Sequence, residues 1–431
     1  MTPEPTPAGP PLPDIALPPG YHLAVLGPQD EAAVLEVDSW AFAFELPPEV
    51  AAGLPYPLEP GRTVGVRAGT DDDAPLVAVH TSYAFTGYPV PGGRVDAAGL
   101  SWVAVLPHHR RRGLARAMVL AHLARTRARG EALSVLFAAE PDIYGRFGYG
   151  CAAYGTRLTV PRGARLRDVP GWRDLRLELE RADVERHTAL VERLHAAAAR
   201  PGQAPRHTFP LQMRAVVDFP AWRDGGEPLR LATVWADDEP RGYALFRRKE
   251  RWGTSGSPEG TATVRESATL DAAAARALWG LLTDLDLMVS VETGILPADD
   301  PLLHLLTDLR PARRTTTDNV WVRLVDVPAA LAARRYASAV DVVLEVDDAL
   351  LPDNAGRWHL RGGPDGARVD RTDAPADVEL DVRELGAVYL GGVGLGALAA
   401  AGLVRERTPG AAAAVATAFG WPLAPVCDFI F

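Results

Sequence analysis

The stretch Leu100-Ser-Trp-Val-Ala-Val-Leu-Pro-His-His-Arg-Arg-Arg-Gly-Leu-Ala-Arg-Ala-Met118 decides the fold. It begins as a strand, passes through a proline and enters a helix that the sequence predicts over 112–129. Gly130 follows, where a C-cap glycine belongs, and residues 133–138 are typical of an apolar strand. Strand, turn, helix and strand in this order predict a crossover unit of an α/β domain.

The turn at the start of this helix has the composition of an anion-binding loop. The first helical turn leaves about four backbone N–H groups unpaired, and the helix dipole adds roughly half a positive charge there. Gly113 allows a phosphate to approach the backbone, and Ala115 is too small to cover it. Arg110, Arg111 and Arg112 add fork-shaped donors. The alternative is a charged helix start without a ligand, because arginine is common throughout this chain.

A second motif lies one strand later, at Ala139-Glu-Pro-Asp-Ile-Tyr-Gly-Arg-Phe-Gly-Tyr-Gly150. A neutral phenol, whose pKa is near 10, can donate a proton to a departing thiolate. Tyr144 and Tyr149 are both candidates for this role. The alternative is that aromatic residues between glycines pack a tight corner, and this interpretation is favoured for Phe147.

The last residues, Pro425-Val-Cys-Asp-Phe-Ile-Phe431, alternate apolar and β-prone residues and predict a docked strand over 426–431. A docked strand would fix its own α-carboxylate, which is ionised at neutral pH and can accept a proton. The alternative is an ordinary edge strand whose carboxylate faces water. The residues alone favour that alternative.

Arg110-x-x-Gly113-x-Ala115 resembles the acyl-CoA pyrophosphate loop of the GNAT superfamily of N-acetyltransferases. Together with the Ile143-Tyr-Gly-Arg-Phe-Gly-Tyr-Gly150 corner, a second α/β block and the terminal phenylalanine, it resembles the Eis (enhanced intracellular survival) family. Members are aminoglycoside N-acetyltransferases with two fused GNAT-like domains and a third domain similar to sterol carrier proteins, assembled as hexamers. The resemblance implies an acetyl-CoA-dependent enzyme.

The resemblance also implies roles for individual residues. Tyr144 would lie beside the coenzyme sulfur as general acid, and the Phe431 carboxylate would be the general base. Cofactor-binding positions are implied for the backbone of two strand residues and for the loop, namely Val103, Val105, Arg110, Arg111, Gly113 and Leu114. No metal is expected, since the chain has no His-Glu-x-x-His or Cys-x-x-Cys pattern.

The predicted fold class is α/β (α+β), in three domains. A disordered leader is expected at 1–20 and a GNAT acetyltransferase domain at 21–162. A second GNAT-like domain is expected at 163–310. It is degenerate, because no Arg-x-x-Gly-x-Ala loop precedes its helix at Asp271. The sterol-carrier-protein-like domain is expected at 311–431.

Composition limits the partners. The chain has 431 residues, with 45 lysines and arginines against 55 aspartates and glutamates, for a net charge of −10. This balance disfavours nucleic acid and suits a small cationic amine. Two cysteines, Cys151 and Cys427, cannot form a disulfide framework, and no signal peptide is recognisable, so a reducing, cytoplasmic location is expected.

The uncharged segment Gly386–Val404 could be mistaken for a membrane span, but it contains six glycines. Such density predicts two short buried pieces joined by a glycine turn, and no membrane association. The same segment leaves a second function open, in which the third domain binds an apolar ligand such as a lipid. A protein lysine as acetyl acceptor also stays open.

Overall fold

The computed structural model describes residues 9–53 and 58–431. The predicted disordered leader falls partly outside this range, at residues 1–8. Residues 9–20 form neither helix nor strand, yet they pack on the first domain. Leu17 joins an apolar cluster there, and Gly9 approaches Gly61 and Arg125 closely.

The first part of the chain alternates strands and helices up to residue 153. Its elements are β1 (Tyr21–Val25), α1 (Glu31–Phe42), α2 (Pro48–Gly53), β2 (Val64–Ala68), β3 (Leu76–Val90), β4 (Gly93–Val105), α3 (Leu114–Ala128), β5 (Leu133–Phe137) and β6 (Gly150–Cys151). The predicted strand, turn, helix and strand are therefore present as β4, the loop, α3 and β5.

The middle part contains a second set of the same kind. Its elements are β7 (Tyr154–Pro161), β8 (Arg176–Arg181), α4 (Val184–Ala197), α5 (Phe209–Val216), β9 (Arg230–Ala236), β10 (Glu239–Lys249), β11 (Gly260–Thr269), α6 (Ala272–Leu282), β12 (Met288–Glu292), β13 (Leu296–Pro297), α7 (Pro301–Leu305), β14 (Arg313–Asp318) and β15 (Val320–Leu324).

The last part folds around a smaller sheet. Its elements are α8 (Val327–Ala333), β16 (Val340–Asp347), β17 (Gly356–Gly363), β18 (Gly366–Arg371), β19 (Val378–Asp381), α9 (Val382–Val388), α10 (Leu395–Ala400), β20 (Val404–Glu406) and α11 (Ala411–Phe419). The glycine-rich segment is split between α9 and α10, as its composition predicted. The prediction that both pieces are buried is wrong for the second, because in α10 only Leu395 is buried.

Three sheets organise these elements. Their strand orders are β1-β2-β3-β4-β5-β15-β6, then β13-β7-β12-β11-β10-β9-β8 with β14 also on β7, and β18-β17-β16-β19-β20. Each sheet has one parallel pair, β4 with β5, β11 with β12, and β16 with β19.

The predicted domain limits at 162 and 310 are wrong for three strands. β7 lies in the second sheet rather than the first, and β14 joins it there. β15 does not begin the third domain but inserts between β5 and β6 of the first sheet. These pairings are non-local, and the residue pattern of a strand does not specify which sheet it joins.

The predicted terminal strand over 426–431 is also wrong. This segment is irregular, and its backbone groups bond to side chains and to the Pro201 carbonyl instead of to a neighbouring strand. The Asn319 carboxamide accepts a hydrogen bond from the Cys427 N–H at 2.8 Å and donates one to the Cys427 carbonyl at 3.0 Å. Asn319 lies between β14 and β15, so the strand exchange fixes the path of the chain end.

The third domain is joined to the first sheet by a buried ion pair. Arg323 on β15 donates to both carboxylate oxygens of Asp348 at 2.7 Å, and neither side chain is more than 1% exposed. The Arg323 Nε–H also donates to the Phe147 carbonyl at 2.9 Å. One guanidinium therefore connects the inserted strand, the aromatic corner and the third domain.

Helix α9 packs directly against β15 and β6. A Cβ on Gly386 would lie 2.3 Å from the Val322 carbonyl oxygen, and one on Gly150 would lie 2.0 Å from the Arg383 carbonyl oxygen. These two glycines permit the close approach of helix and sheet. Among the helices of the described residues, none is both long and apolar enough to cross a bilayer.

We expect Gly386→Ala to destabilise the protein by about 1–3 kcal/mol, because its methyl group would overlap backbone that has no room to move. The measurement is the midpoint of urea unfolding. Gly396→Ala is the matched control, since a Cβ at this α10 position meets no atom within 4 Å. The control should be neutral or stabilising by up to about 1 kcal/mol. Equal midpoints for the two variants would contradict the packing argument.

Candidate active site

A gap opens in the first sheet where β4 and β5 separate. Their parallel pairing covers only Ala97–Gly99 and Leu133–Val135, although β4 continues to Val105 and β5 to Phe137. Trp102 has a φ of 56°, and the β4 register against β3 shifts in this region. The backbone edges that face this gap can bond an extended ligand as a neighbouring strand would. Val103 and Val105 lie on this part of β4, half-buried.

The predicted anion loop lies at the end of β4. Gly113 has a φ of 82° and precedes α3, and a Cβ there would be strained by that backbone conformation although the space around it is open. Leu114 begins the helix with a buried side chain. The loop therefore presents the first N–H groups of α3 beside an accessible glycine, as an anion cradle requires.

The three arginines of the loop differ in their contacts. The Arg112 guanidinium donates hydrogen bonds to the Tyr21 hydroxyl and to the His108 carbonyl, so it stabilises the conformation of the loop. Arg110 and Arg111 are exposed, and within the described residues their side chains form no hydrogen bond or ion pair. These two guanidinium groups are available to an anionic ligand.

Tyr144 lies against β5 with only 8% of its surface exposed. Burial, with a smaller contribution from Glu140, raises the pKa of Tyr144 to about 12. The phenol is therefore protonated at neutral pH. Tyr149, 5.9 Å away between ring centroids, is fully buried and its hydroxyl is hydrogen-bonded to Ser134 at 2.7 Å. Both tyrosines belong to one buried cluster, and Tyr149 is the one whose hydroxyl is already hydrogen-bonded to a neighbouring side chain.

Phe431 lies at the gap. Its main-chain oxygen accepts a hydrogen bond of 2.7 Å from the Ser101 hydroxyl, and its ring packs against Phe85 and Phe137 at centroid distances of 4.8 and 5.3 Å. Ser101 on β4 and Phe137 on β5 each lie two residues beyond the point where the pairing between these two strands ends. Phe431 therefore borders the opening between the strands.

Tyr144 and Phe431 approach this gap from opposite faces of the sheet. Leu136 on β5 belongs to the same apolar cluster as Tyr144, whereas its neighbour Phe137 contacts Phe431. Successive side chains of a strand point to opposite faces. A reacting group held in the gap would have the phenol on one side and the chain end on the other.

The second domain holds the chain end in place through a charged pair. His195 on α4 lies 3.0 Å from Asp428, and Gln203 donates to the same carboxylate at 2.8 Å. Burial opposes ionisation, yet His195 holds the pKa of Asp428 below its ordinary value. The residues around Phe431 thus come from both α/β domains.

Sequence reasoning missed Ser101, Asn319 and the aromatic neighbours of Phe431. Ser101 carries the only hydroxyl of β4, and this polar group in an apolar strand was a usable signal. Asn319 and Phe85 show no such signal, because their importance arises from contacts with residues more than 100 positions away.

The comparisons with known families agree with this architecture. Family models of an acetyltransferase (GNAT) domain match residues 25–152 and 210–324, and the model of a sterol carrier protein domain matches residues 327–428. The predicted fold class, two GNAT domains followed by a sterol-carrier-protein-like domain, is confirmed. The second GNAT match ends with β15, so the sequence of this domain includes a strand that pairs within the first sheet.

Relatives of known sequence cover most of the chain. An uncharacterized N-acetyltransferase of Streptomyces coelicolor is 40% identical over 92% of this chain and 98% of its own. The N-acetyltransferase Eis of Mycobacterium tuberculosis is 39% identical over 74% of this chain and 77% of its own. The crystal structure of Eis1 from Mycobacterium abscessus matches with a TM-score of 0.78 at 33% identity, covering 95% of this chain and all of that one. This chain is an N-acetyltransferase and belongs to the Eis family of the GNAT superfamily.

Proposed function

We propose that this enzyme transfers the acetyl group of acetyl-CoA directly to a primary amine, with the Phe431 carboxylate as general base and Tyr144 as general acid. The observation that carries this proposal is the hydrogen bond from Ser101 to Phe431 beside the gap, with Tyr144 on the opposite face. The same residues were implied by the family resemblance.

In this proposal acetyl-CoA enters the gap between β4 and β5. The backbone groups of Val103 and Val105 bond the pantetheine and the thioester, and a Val105 N–H that polarises the thioester carbonyl acts as an oxyanion hole. The loop binds the pyrophosphate through Arg110, Arg111 and the backbone at Gly113 and Leu114. The two exposed, unpaired guanidinium groups support this assignment.

The chemistry needs two proton transfers and no covalent enzyme intermediate. The amine nitrogen attacks the thioester carbonyl carbon, which forms the C–N bond and then breaks the C–S bond. The Phe431 carboxylate, directly or through water, accepts the proton lost by the nitrogen. Tyr144, which burial keeps protonated at neutral pH, donates its phenolic proton to the departing sulfur.

The resemblance supports an aminoglycoside as acceptor, a homohexamer and a cytoplasmic enzyme. Our proposal for this chain is a primary amine of small-molecule size, because a cavity of about 700 Å³ lies beside the last residues of the chain. For the lipid-binding alternative, the packing of α9 on the first sheet accounts for Gly386 of the glycine-rich segment.

We expect Tyr144→Phe to lower kcat by about 10²–10⁴-fold with little change in acetyl-CoA affinity, because only the transferable proton is removed. The measurement is thiol release under saturating acetyl-CoA. Tyr149→Phe is the matched control. It removes a buried hydroxyl 5.9 Å away in ring-centroid distance and should cost stability rather than turnover. An unchanged kcat in Tyr144→Phe would refute its role as general acid.

Extending the chain by Gly-Ser after Phe431 should lower kcat by about 10²–10⁴-fold, because the carboxylate is replaced by a neutral amide at that position. The same dipeptide placed before Met1 is the control and should leave kcat unchanged. Calorimetric binding of CoA should be equal in both proteins, which separates loss of the base from misfolding. Full activity of the C-terminal extension would overturn the role of Phe431.

Arg110→Ala should weaken CoA binding about tenfold, since a hydrogen bond between charged groups is worth roughly 1.5–3 kcal/mol. Calorimetric titration with CoA measures the effect. Arg116→Ala is the control, because Arg116 is an exposed arginine further along α3 and outside the loop. If the two variants bind CoA equally well, the assignment of Arg110 to the pyrophosphate is incorrect.

A further inference from the structure

The cavity of about 700 Å³ occupies the place in the second sheet that the gap occupies in the first. The parallel pairing of β11 with β12 ends at Thr263 and Glu292, whereas β11 continues to Thr269. The cavity begins where this pairing ends, and it is lined there by residues 263–266. Residues 428–430 of the chain end form another part of its wall.

One side of the cavity adjoins Phe431. The ring of Phe429, which lines the cavity, has its centroid 6.3 Å from that of Phe431. Arg214 of α5 also lines the cavity, and its positive charge opposes the rise in pKa that burial imposes on Tyr83. The Tyr83 ring in turn lies 6.4 Å from that of Phe431. A molecule in the cavity is therefore close to the proposed general base.

Arginines dominate the cavity, and one of them is neutralised by its neighbours. The buried Arg206 lies 2.6 Å from Glu266 and 3.9 Å from Asp428, and its guanidinium stacks on the Phe429 ring at 4.6 Å. These contacts account for the charges of the one arginine and both carboxylates. They belong to the framework that holds the chain end.

Four other arginines line the cavity without such partners. They come from β7, α5, β11 and β14, and within the described residues none has a carboxylate oxygen within 4 Å: Arg157, Arg214, Arg265 and Arg313. Burial lowers the pKa of Arg265 to about 10, so it remains cationic at neutral pH. Among the described residues, Glu292 is the one carboxylate that lines the cavity without an ion-pair partner.

Two of these arginines share one face of the β7–β14 ribbon. Thr315 is opposite Arg157 and Thr159 is opposite Arg313, and all four residues line the cavity. The two arginines thus occupy diagonal positions on one face, where like charges repel. An anion bound between them would remove this repulsion and would find the two threonine hydroxyls beside it.

We propose that the acetyl acceptor is a zwitterionic amine, whose carboxylate or phosphate is bound in this cavity by Arg157, Arg214, Arg265 and Arg313. This inference rests on the proposed transfer of acetyl to an amine and names the class of that amine. Guanidinium groups match the planar, bidentate geometry of carboxylate and phosphate. The anion occupies the arginine-lined part of the cavity, and the amine extends toward Phe431. A polycation such as an aminoglycoside would meet four guanidinium groups without a carboxylate partner in the same space.

Matched acceptor pairs test the inference on the full chain. Thiol release from acetyl-CoA is measured with glucosamine 6-phosphate against glucosamine, with trialanine against trialaninamide, and with kanamycin. In at least one pair, kcat/KM should be about tenfold or more higher for the anionic member, and that pair identifies the anion. The preference should shrink at 0.5 M salt, at which the charges are screened over roughly 4 Å.

Variants connect the preference to the cavity. Arg157→Gln/Arg313→Gln should reduce the advantage of the anionic acceptor about tenfold or more and leave CoA binding unchanged. Arg314→Gln is the matched control, because Arg314 is the neighbour of Arg313 on β14 but donates to Thr156 and does not line the cavity. It should retain the wild-type preference.

Three results would contradict the inference or the proposed function, each in a distinguishable way. Equal rates within both pairs, or a preference for kanamycin, would refute the anionic acceptor while leaving amine acetylation intact. CoA binding without turnover of any of the five amines would refute the proposed function itself. Loss of the preference in Arg314→Gln as much as in the double variant would show that the cavity does not bind the anion.

Discussion

The position of Phe431 is the constraint on which the candidate active site depends. Its main-chain oxygen is held by Ser101 of the first sheet, and the residues just before it are held by Asn319 and by His195 of the second domain. A chain end normally frays, because few contacts offset its conformational entropy. Here the contacts come from segments that are 108 to 330 residues away in sequence. The site therefore forms only when all parts of the chain have reached their final arrangement.

The buried pair of Arg323 and Asp348 restricts how the third domain packs on the first sheet. A buried ion pair gains little over apolar residues of the same size, since both charges lose their hydration, but removing one partner costs about 3–5 kcal/mol. This asymmetry penalises any packing in which the third domain is displaced from β15. The close approach of α9 at Gly386 and Gly150 adds a steric restriction on the same interface. Together these contacts fix the position of the third domain on the first sheet, and thereby the position of the chain end.

Part of the fold could be predicted because it depends on interactions between residues that are close in sequence. The loop with Gly113, the helix after it and the division of the glycine-rich segment into two short helices follow from periodicity, capping and backbone freedom, all of which act over a few residues. The exchange of β7 and β15 between sheets could not be predicted, because any apolar strand satisfies either sheet and the choice depends on distant partners. The irregular chain end was mistaken for a strand for the same reason. Its alternation of apolar residues was real, but the side chain of Asn319 replaced the neighbouring strand.

Net charge was the least informative property of the sequence. A total of −10 describes mainly groups in contact with water, whereas recognition depends on the few charges that face one cavity. The first and second sheets each contain a gap where two parallel strands separate. Of these two gaps, only the one in the first sheet has a loop with glycine and arginines beside it. In the second sheet no such loop precedes α6, and the chain end covers the gap to make a cavity. The second domain thus keeps a cavity that can bind a ligand although it has no coenzyme loop. In our proposal the arginines on β7, β11 and β14 determine which acetyl acceptor binds there.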